Sequence, residues 1–222
     1  MLAPEGRGKP RPFFCKGPMK EYPSIQATIV RGQQIYAFDK LDGSNIRAEW
    51  SRKRGFYKYG TKKRLLGEDE RILGRAPGII RAKYAEDLEK VFRKNRWDKA
   101  VCFFEFYGTS SFAGYHDEND EFTVTLIDVA ANKKGFLEPK DFIKYFGHLD
   151  IPALLYMGNA NSEFVESVRD STLEGMTFEG VICKGKLISP GCPLMFKVKS
   201  TAWYQSLKAK CDDDANLFDR LA

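Results

Sequence analysis

Two phosphate-binding signatures are missing from this sequence. It contains neither a GxxxxGK[ST] loop nor a GxGxxG turn, so phosphates are not held by a glycine-rich Walker or Rossmann loop. Histidine is scarce. His116 and His148 are the only two, and neither sits in an HExxH or HxH pattern, which argues against a Ser-His-Asp triad. The five cysteines (Cys15, Cys102, Cys183, Cys192 and Cys211) include no CxxC pair. That spacing disfavours a zinc site or a disulfide framework and leads to an expectation of reduced thiols in a cytoplasmic protein. No apolar run approaches the length of a membrane span, and the opening MLAPEGRGKPRPFF has no signal-peptide apolar segment. Acidic residues are outnumbered, 30 against 36 Lys and Arg, for a net charge of +6. Such a bias is compatible with nucleic acid or a polyanionic nucleotide without establishing either.

What is present describes an ordinary globular chain. Its 222 residues, 43% hydrophobic and 30% charged, are enough for a sizeable core. Residues 1–20, rich in Pro, Gly and basic residues, read as an N-terminal arm. Strands are expected at Gln34–Phe38, Asn45–Trp50 and Gly55–Tyr59, close enough together for an antiparallel meander. Further strands are expected at 101–108, 122–130, 180–184 and 194–199. Helical spacing occurs between Arg81 and Arg93, at 138–146, at 161–168 and near Trp203–Lys210. The tail CDDDANLFDRLA reads as polar and fraying. With no repeat and no linker, residues 21–222 form one mixed α/β domain.

Charged residues interrupt several of these apolar stretches. In YAFDKLDGSN (36–45), Lys40 and Asp42 fall within a strand-like run, and a buried lysine is costly unless paired or used chemically. Gly43 removes a side chain where something comes close to the backbone. Glu105 breaks the apolar run VCFFEFY, Glu179 and Lys184 bracket GVIC, and Lys197 and Lys199 share one face of LMFKVK. Each fragment alone is weakly specific. Their combination is not.

The order KLDGSN (40–45), FFEFYG (103–108), LIDV (126–129), EGVICK (179–184) and FKVK (196–199) resembles the covalent nucleotidyltransferase superfamily of ATP-dependent polynucleotide ligases and capping enzymes. The asparagine of KxDGSN, the FxEFxG form and the KxK ending are most similar to the RNA ligase 2-like family. The resemblance spans roughly residues 20 to 200. It implies an α+β adenylyltransferase domain of largely antiparallel sheets with flanking helices, ATP-grasp-like. It also implies an ATP-dependent RNA ligase that joins 5′-phosphate and 3′-hydroxyl ends through a lysyl-AMP on Lys40, with Mg2+ or Mn2+ as cofactor and RNA as partner.

Site roles follow by position. Lys40 is the implied nucleophile. Lys197 and Lys199, with the metal and burial, are expected to lower its pKa and to offset phosphate charge. Asp39 is implied at the adenine edge, Glu105 at the ribose, Asn45 beside the phosphate and Ile127 at the base-stacking position, where an aromatic is more usual. Glu179, with Asn45, is implied to hold hydrated metal, and Asp42 fills the third place of KxDG. Lys62 in GTKKR stands where the family has an arginine, and a lysine cannot reproduce a planar bidentate contact. The cluster Arg52, Arg54, Lys62, Lys63 and Arg64, interleaved with Phe56, Tyr57 and Tyr59, is the expected nucleic-acid face. Only 23 residues follow Lys199, so the expectation is a catalytic domain without an OB or helical domain, acting as a minimal ligase or with a partner protein. A small DNA ligase or a GTP-using guanylyltransferase remains an alternative within the superfamily. A non-catalytic nucleic-acid-binding module is a distant one.

Overall fold

In the computed structural model, residues 21–62, 64–67, 70–109, 119–212 and 214–221 are described. The arm at 1–20, Lys63, Cys15 and His116 lie outside them. In chain order the elements are β1 (Gln34–Asp39), β2 (Ser44–Ser51), β3 (Gly55–Gly60), α1 (Ala76–Lys94), β4 (Lys99–Tyr107), β5 (Thr123–Ala131), β6 (Gly135–Phe136) and α2 (Pro139–Phe146). They continue with β7 (Leu154–Asn159), α3 (Ser162–Arg169), β8 (Gly180–Ser189), β9 (Cys192–Lys199), α4 (Thr201–Lys210) and α5 (Ala215–Leu221). The strands form a four-stranded sheet ordered β7-β1-β8-β9 and a five-stranded sheet ordered β3-β2-β4-β5-β6. Every strand pairing within them is antiparallel. The expected α+β architecture of antiparallel sheets with flanking helices is what the chain adopts.

Local sequence explains these elements. In α1 the buried residues Ala76, Ile80, Tyr84, Leu88 and Phe92 recur every fourth position, a stripe that faces one core. They pack with α2 against one face of the five-stranded sheet, where Phe92 meets Trp50 at 4.9 Å and stacks on Trp97 at 5.4 Å. Caps start two other helices: Asn161 Oδ1 accepts from the Phe164 amide at 2.8 Å, and Ser200 Oγ accepts from the Trp203 amide at 3.0 Å. A second core joins α3 to the four-stranded sheet through Ile35, Phe164, Val168 and Phe196. A third, smaller one lies around Tyr22, Phe103, Phe136 and Met195, bringing residues of both sheets together.

Four expectations need correction. The meander does not form, because β1 pairs with β7 and β8 while β2 pairs with β3 and β4. Strand β1 stops at Asp39, so Lys40 and Asp42 lie in the four-residue crossing between sheets rather than inside a strand. The tail contains α5, whose start Asp214 caps by accepting from the Leu217 amide at 3.0 Å, while Leu217 and Phe218 pack beside Trp203 and Leu207. Cys102, Cys183 and Cys211 are free and buried, but Cys192 is disulfide-bonded. A disulfide needs proximity in space, which spacing along the chain does not report. Strand β7 was not foreseen. Its segment LLYMGN is half exposed and has no clean alternation.

The crossing is tight at Gly43, where an added Cβ would stand 2.3 Å from the Phe106 carbonyl oxygen. Gly43→Ala is therefore expected to lower stability by about 1–3 kcal/mol. Gly78→Ala, in the first turn of α1 where nothing lies within 4 Å of an added Cβ, should raise it by about 0.4–1 kcal/mol. Urea midpoints at unchanged slope are the measurement, and a neutral Gly43→Ala would mean the crossing can relax.

Candidate functional site

The four-stranded sheet delivers one half of the site. Leaving β1, the Lys40 amide donates to the Gly180 carbonyl at 2.9 Å, which fixes the lysine next to the start of β8. Its Nζ donates to Glu179 Oε2 at 2.7 Å, and Lys199 Nζ approaches Glu179 Oε1 at 3.2 Å. One buried carboxylate, only 3% exposed, thus holds two ammonium groups. In β9, Lys197 and Lys199 face Ile182 and Gly180 of β8 in unbroken register, so both lysines project from one face. Lys199 also lies 3.4 Å from the centroid of the Trp203 ring. The buried Asp39 carboxylate accepts from the Thr177 amide at 3.1 Å and the Thr177 hydroxyl at 2.9 Å.

The five-stranded sheet supplies the other half. Asn45 of β2 stands directly opposite Glu105 of β4. Between β4 and β5 the pairing jumps from Phe103↔Asp128 to Phe104↔Leu126, leaving Ile127 as a bulge. A bulge re-aims neighbouring side chains, and here Ile127 lines the cavity while Asp128 takes up Lys184. The Lys184 ammonium donates to Asp128 Oδ2 at 2.8 Å and to the Ile127 carbonyl at 2.7 Å, and the Tyr22 hydroxyl donates to Asp128 Oδ2 at 3.0 Å.

Two cavities meet at Lys40 and Lys197. The first, about 470 Å³, is lined by Asp39, Asn45, Lys62, Glu105 and Ile127 as well as by Tyr22, Phe38, Ile182 and Lys184. The second, about 530 Å³, is lined by Asp42, Glu179 and Lys199 together with Phe106, Phe122, Trp203 and Leu207. Every residue expected at the nucleotide therefore borders one cavity or the other. The expected nucleic-acid face is divided. Lys62 reaches the first cavity and hydrogen-bonds Ser24, and Arg64 pairs with Glu70. Arg52 and Arg54 sit at the far turn of the β2–β3 hairpin, against Asp98 and Tyr57 respectively. Tyr22 and Asp128 were not singled out beforehand, and Lys184, noted for bracketing GVIC, was given no role at the site. The last residue of EGVICK and the aspartate of LIDV were the available signals.

Electrostatics here departs from one expectation. Burial lowers the pKa of Lys40, but Glu179, Glu105 and Asp42 outweigh it, and the net direction is upward. The lysine is held protonated rather than activated by its protein surroundings. The downward shift falls on its neighbours. Burial, with Lys197 and Lys40 adding repulsion against the opposing pull of Glu179, brings Lys199 down to about 8. Burial and the Lys40 charge lower Lys197. Burial drives Glu105 up to about 8 against the attraction of Lys40.

No cluster of three or more His, Cys, Asp or Glu side chains suited to a metal exists among the described residues. Of the two residues expected at a metal, Glu179 borders the second cavity and Asn45, whose buried Oδ1 and Nδ2 have no hydrogen-bond partner, borders the first; both carry oxygen donors of the kind a hard divalent ion takes. No helix among the described residues is long and apolar enough to cross a membrane.

No protein-family model and no curated protein matches the chain. Solved structures do. Naegleria gruberi RNA ligase with pyrophosphate aligns with a TM-score of 0.57 at 16% identity, over 81% of this chain and 53% of that one. A variant of the same ligase with ATP and manganese aligns at 0.55 and 16% identity, over 79% and 52%. A variant with AMP and manganese aligns at 0.56 and 14%, over 78% and 51%. The chain thus has the fold of these RNA ligase structures and spans about half their length.

Two titrations follow from this geometry. Replacing Glu179 by Gln removes the leading upward influence on Lys40 and the pull that resists the fall of Lys199. Both pKa values should drop, as read by NMR of ¹³C-methylated lysines, and an unmoved Lys40 would contradict the pairing. For Glu105 the folded pKa is above the unfolded one, so its favourable contribution is present below about pH 4.5 and lost as pH rises through about 8. The Glu105→Gln variant should therefore gain in Tm relative to the parent between pH 5 and pH 8. A constant difference across that window would refute the upward shift.

Proposed function

We propose that this chain is an ATP-dependent RNA ligase that works through a covalent AMP adduct on Lys40. The observation that carries the reading is the position of the Lys40 amine, at the junction of two cavities and 2.7 Å from a buried carboxylate that it shares with Lys199. A cavity of about 470 Å³ is of the size that holds a small ligand. It carries Asp39 and Glu105 as polar groups for a base and a ribose, with Ile127 and Phe38 as apolar walls. Support also comes from the fold shared with the Naegleria ligase, whose structures hold ATP, AMP, pyrophosphate and manganese.

In this reading the adenosine occupies the first cavity, and the phosphates pass Lys40 toward Lys197 and Lys199. Attack by the neutral Lys40 amine on the α-phosphorus forms a P–N bond and breaks the bond to pyrophosphate, the amine proton leaving to Glu179 or to water. The two β9 lysines stabilise charge on the α-phosphate and the leaving group. A magnesium or manganese ion at Glu179 and Asn45 would add positive charge beside the phosphates. Because Glu179 holds Lys40 protonated, release of that proton is the step the surroundings must enable. AMP then passes to an RNA 5′-phosphate, and a 3′-hydroxyl held in line displaces it.

Intact-protein mass after incubation with ATP and Mg2+ or Mn2+ tests the proposal. An AMP-sized increment is expected in the parent and none in Lys40→Ala. A GMP-sized increment with GTP would point to a capping enzyme instead. No increment from folded, adduct-free protein in either metal would sink the covalent reading.

A further inference from the structure

Four lysines outside the nucleotide cavities meet at one end of the five-stranded sheet. The face that carries Asn45 and Glu105 continues along β2 and β4 to Glu49, Val101 and Lys99, since residues two apart share a face. Six residue steps along β4 lead from Glu105 to Lys99, or about 20 Å at strand rise. There an open groove of about 720 Å³ is lined by Lys58, Lys99, Lys133 and Lys134, with Tyr57 and Asn132. It shares no lining residue with either cavity at Lys40.

The four lysines come from three separate places: β3, the start of β4 and the turn between β5 and β6. Lys133 sits in the left-handed region at φ 69°, and the Lys134 amide closes the turn on the Ala131 carbonyl at 3.1 Å. A non-glycine residue is disfavoured in that conformation, yet the turn holds both lysines at the groove. One acid, Glu49, lies within it. It accepts from the Tyr57 hydroxyl at 3.2 Å and pairs with Lys58 at 3.5 Å. Lys99, Lys133 and Lys134 therefore remain in excess, all three exposed. The hairpin turn Arg52–Arg54 extends the same edge, joined to it where the Arg52 amide bonds the Asp98 carbonyl at 2.9 Å.

Cations spread along an open groove suit a ligand with repeated negative charge better than a single anion. The exposed Tyr57 ring offers a stacking surface of the kind that single-stranded nucleic acid uses. We propose that this groove grips the phosphodiester backbone of an RNA strand about 20 Å from the reacting end. Choosing RNA as the polymer rests on the function proposed above.

The test is the triple variant Lys99→Ala, Lys133→Ala, Lys134→Ala beside the matching triple Lys→Arg variant, with labelled single-stranded RNA and fluorescence anisotropy over a salt series. The Ala triple should bind at least tenfold more weakly near 0.1 M salt. Its slope of log affinity against log salt should fall by about 2, at 0.7 per lost phosphate contact. The Arg triple should bind like the parent, and adduct formation on Lys40 with ATP should be unchanged in both. Unaltered affinity and slope in the Ala triple would overturn the groove, as would equal losses in the Ala and Arg triples. If the parent forms no adduct but the Ala triple still loses RNA, the ligase reading fails and the groove stands.

Discussion

A single carboxylate organises the centre of this molecule. Glu179 is buried between two lysines, and taking three charged groups out of water is expensive unless their mutual attraction and hydrogen bonds offset it. The bonds are short, 2.7 Å to Lys40 and 3.2 Å to Lys199, yet the compensation is uneven. One negative charge faces Lys40, Lys199 and nearby Lys197, so the lysines compete for it. Lys40 wins and stays protonated, while Lys199 is pushed down to about 8. The site is thus poised with its central amine blocked by the carboxylate beside it. Anything that draws charge away from Glu179 changes the state of all three lysines together.

That carboxylate belongs to one sheet, and what faces it belongs to the other. The crossing Lys40–Gly43 carries the chain between them, with no room for a side chain at Gly43 because the Phe106 carbonyl comes so close. On the far side a second buried ion pair, Lys184 with Asp128, ties β8 to β5. The Tyr22 hydroxyl completes it, and the Phe38 and Phe142 rings lie about 5 Å away, at 5.1 and 5.2 Å. Two buried pairs thus connect to the walls of the cavity from opposite ends. The bulge at Ile127 makes the second pair achievable, since it shifts the pairing so that Asp128 stands opposite Phe103 on the face that carries Glu105. Without the extra residue the alternation of β5 would turn Asp128 toward the helices.

Much of this was visible in one dimension where a single periodicity dominates. The α1 stripe from Tyr84 to Phe92 and the apolar runs of β4 and β5 follow local rules and took the forms expected, although α1 begins earlier, at Ala76. Segments governed by partners elsewhere did not. The edge strand LLYMGN is half exposed and reads as neither strand nor helix by alternation alone. The polar tail becomes helical because Leu217 and Phe218 find a cluster around Trp203. Strands β1, β2 and β3 looked like neighbours because they are close in sequence, but proximity along the chain does not say which sheet a strand joins.

By itself the sequence determined which chemical groups are available: a lysine ahead of an Asp-Gly, carboxylates set into apolar strands, and a pair of lysines on one strand face, in an order that resembles nucleotidyltransferases. Residue types and their order are local facts and survive without coordinates. Tertiary structure decided how those groups act on one another. It joined Lys40 and Lys199 through Glu179 and raised the pKa of the lysine expected to fall. It also brought Tyr22 and Lys184 to the cavity, with Asp128 bonded to both, and split the basic hairpin between the first cavity, which Lys62 reaches, and the far turn that carries Arg52 and Arg54. Electrostatic interaction depends on distance and burial, and both are set by how the two sheets pack. The pattern of residues along either strand contains neither quantity.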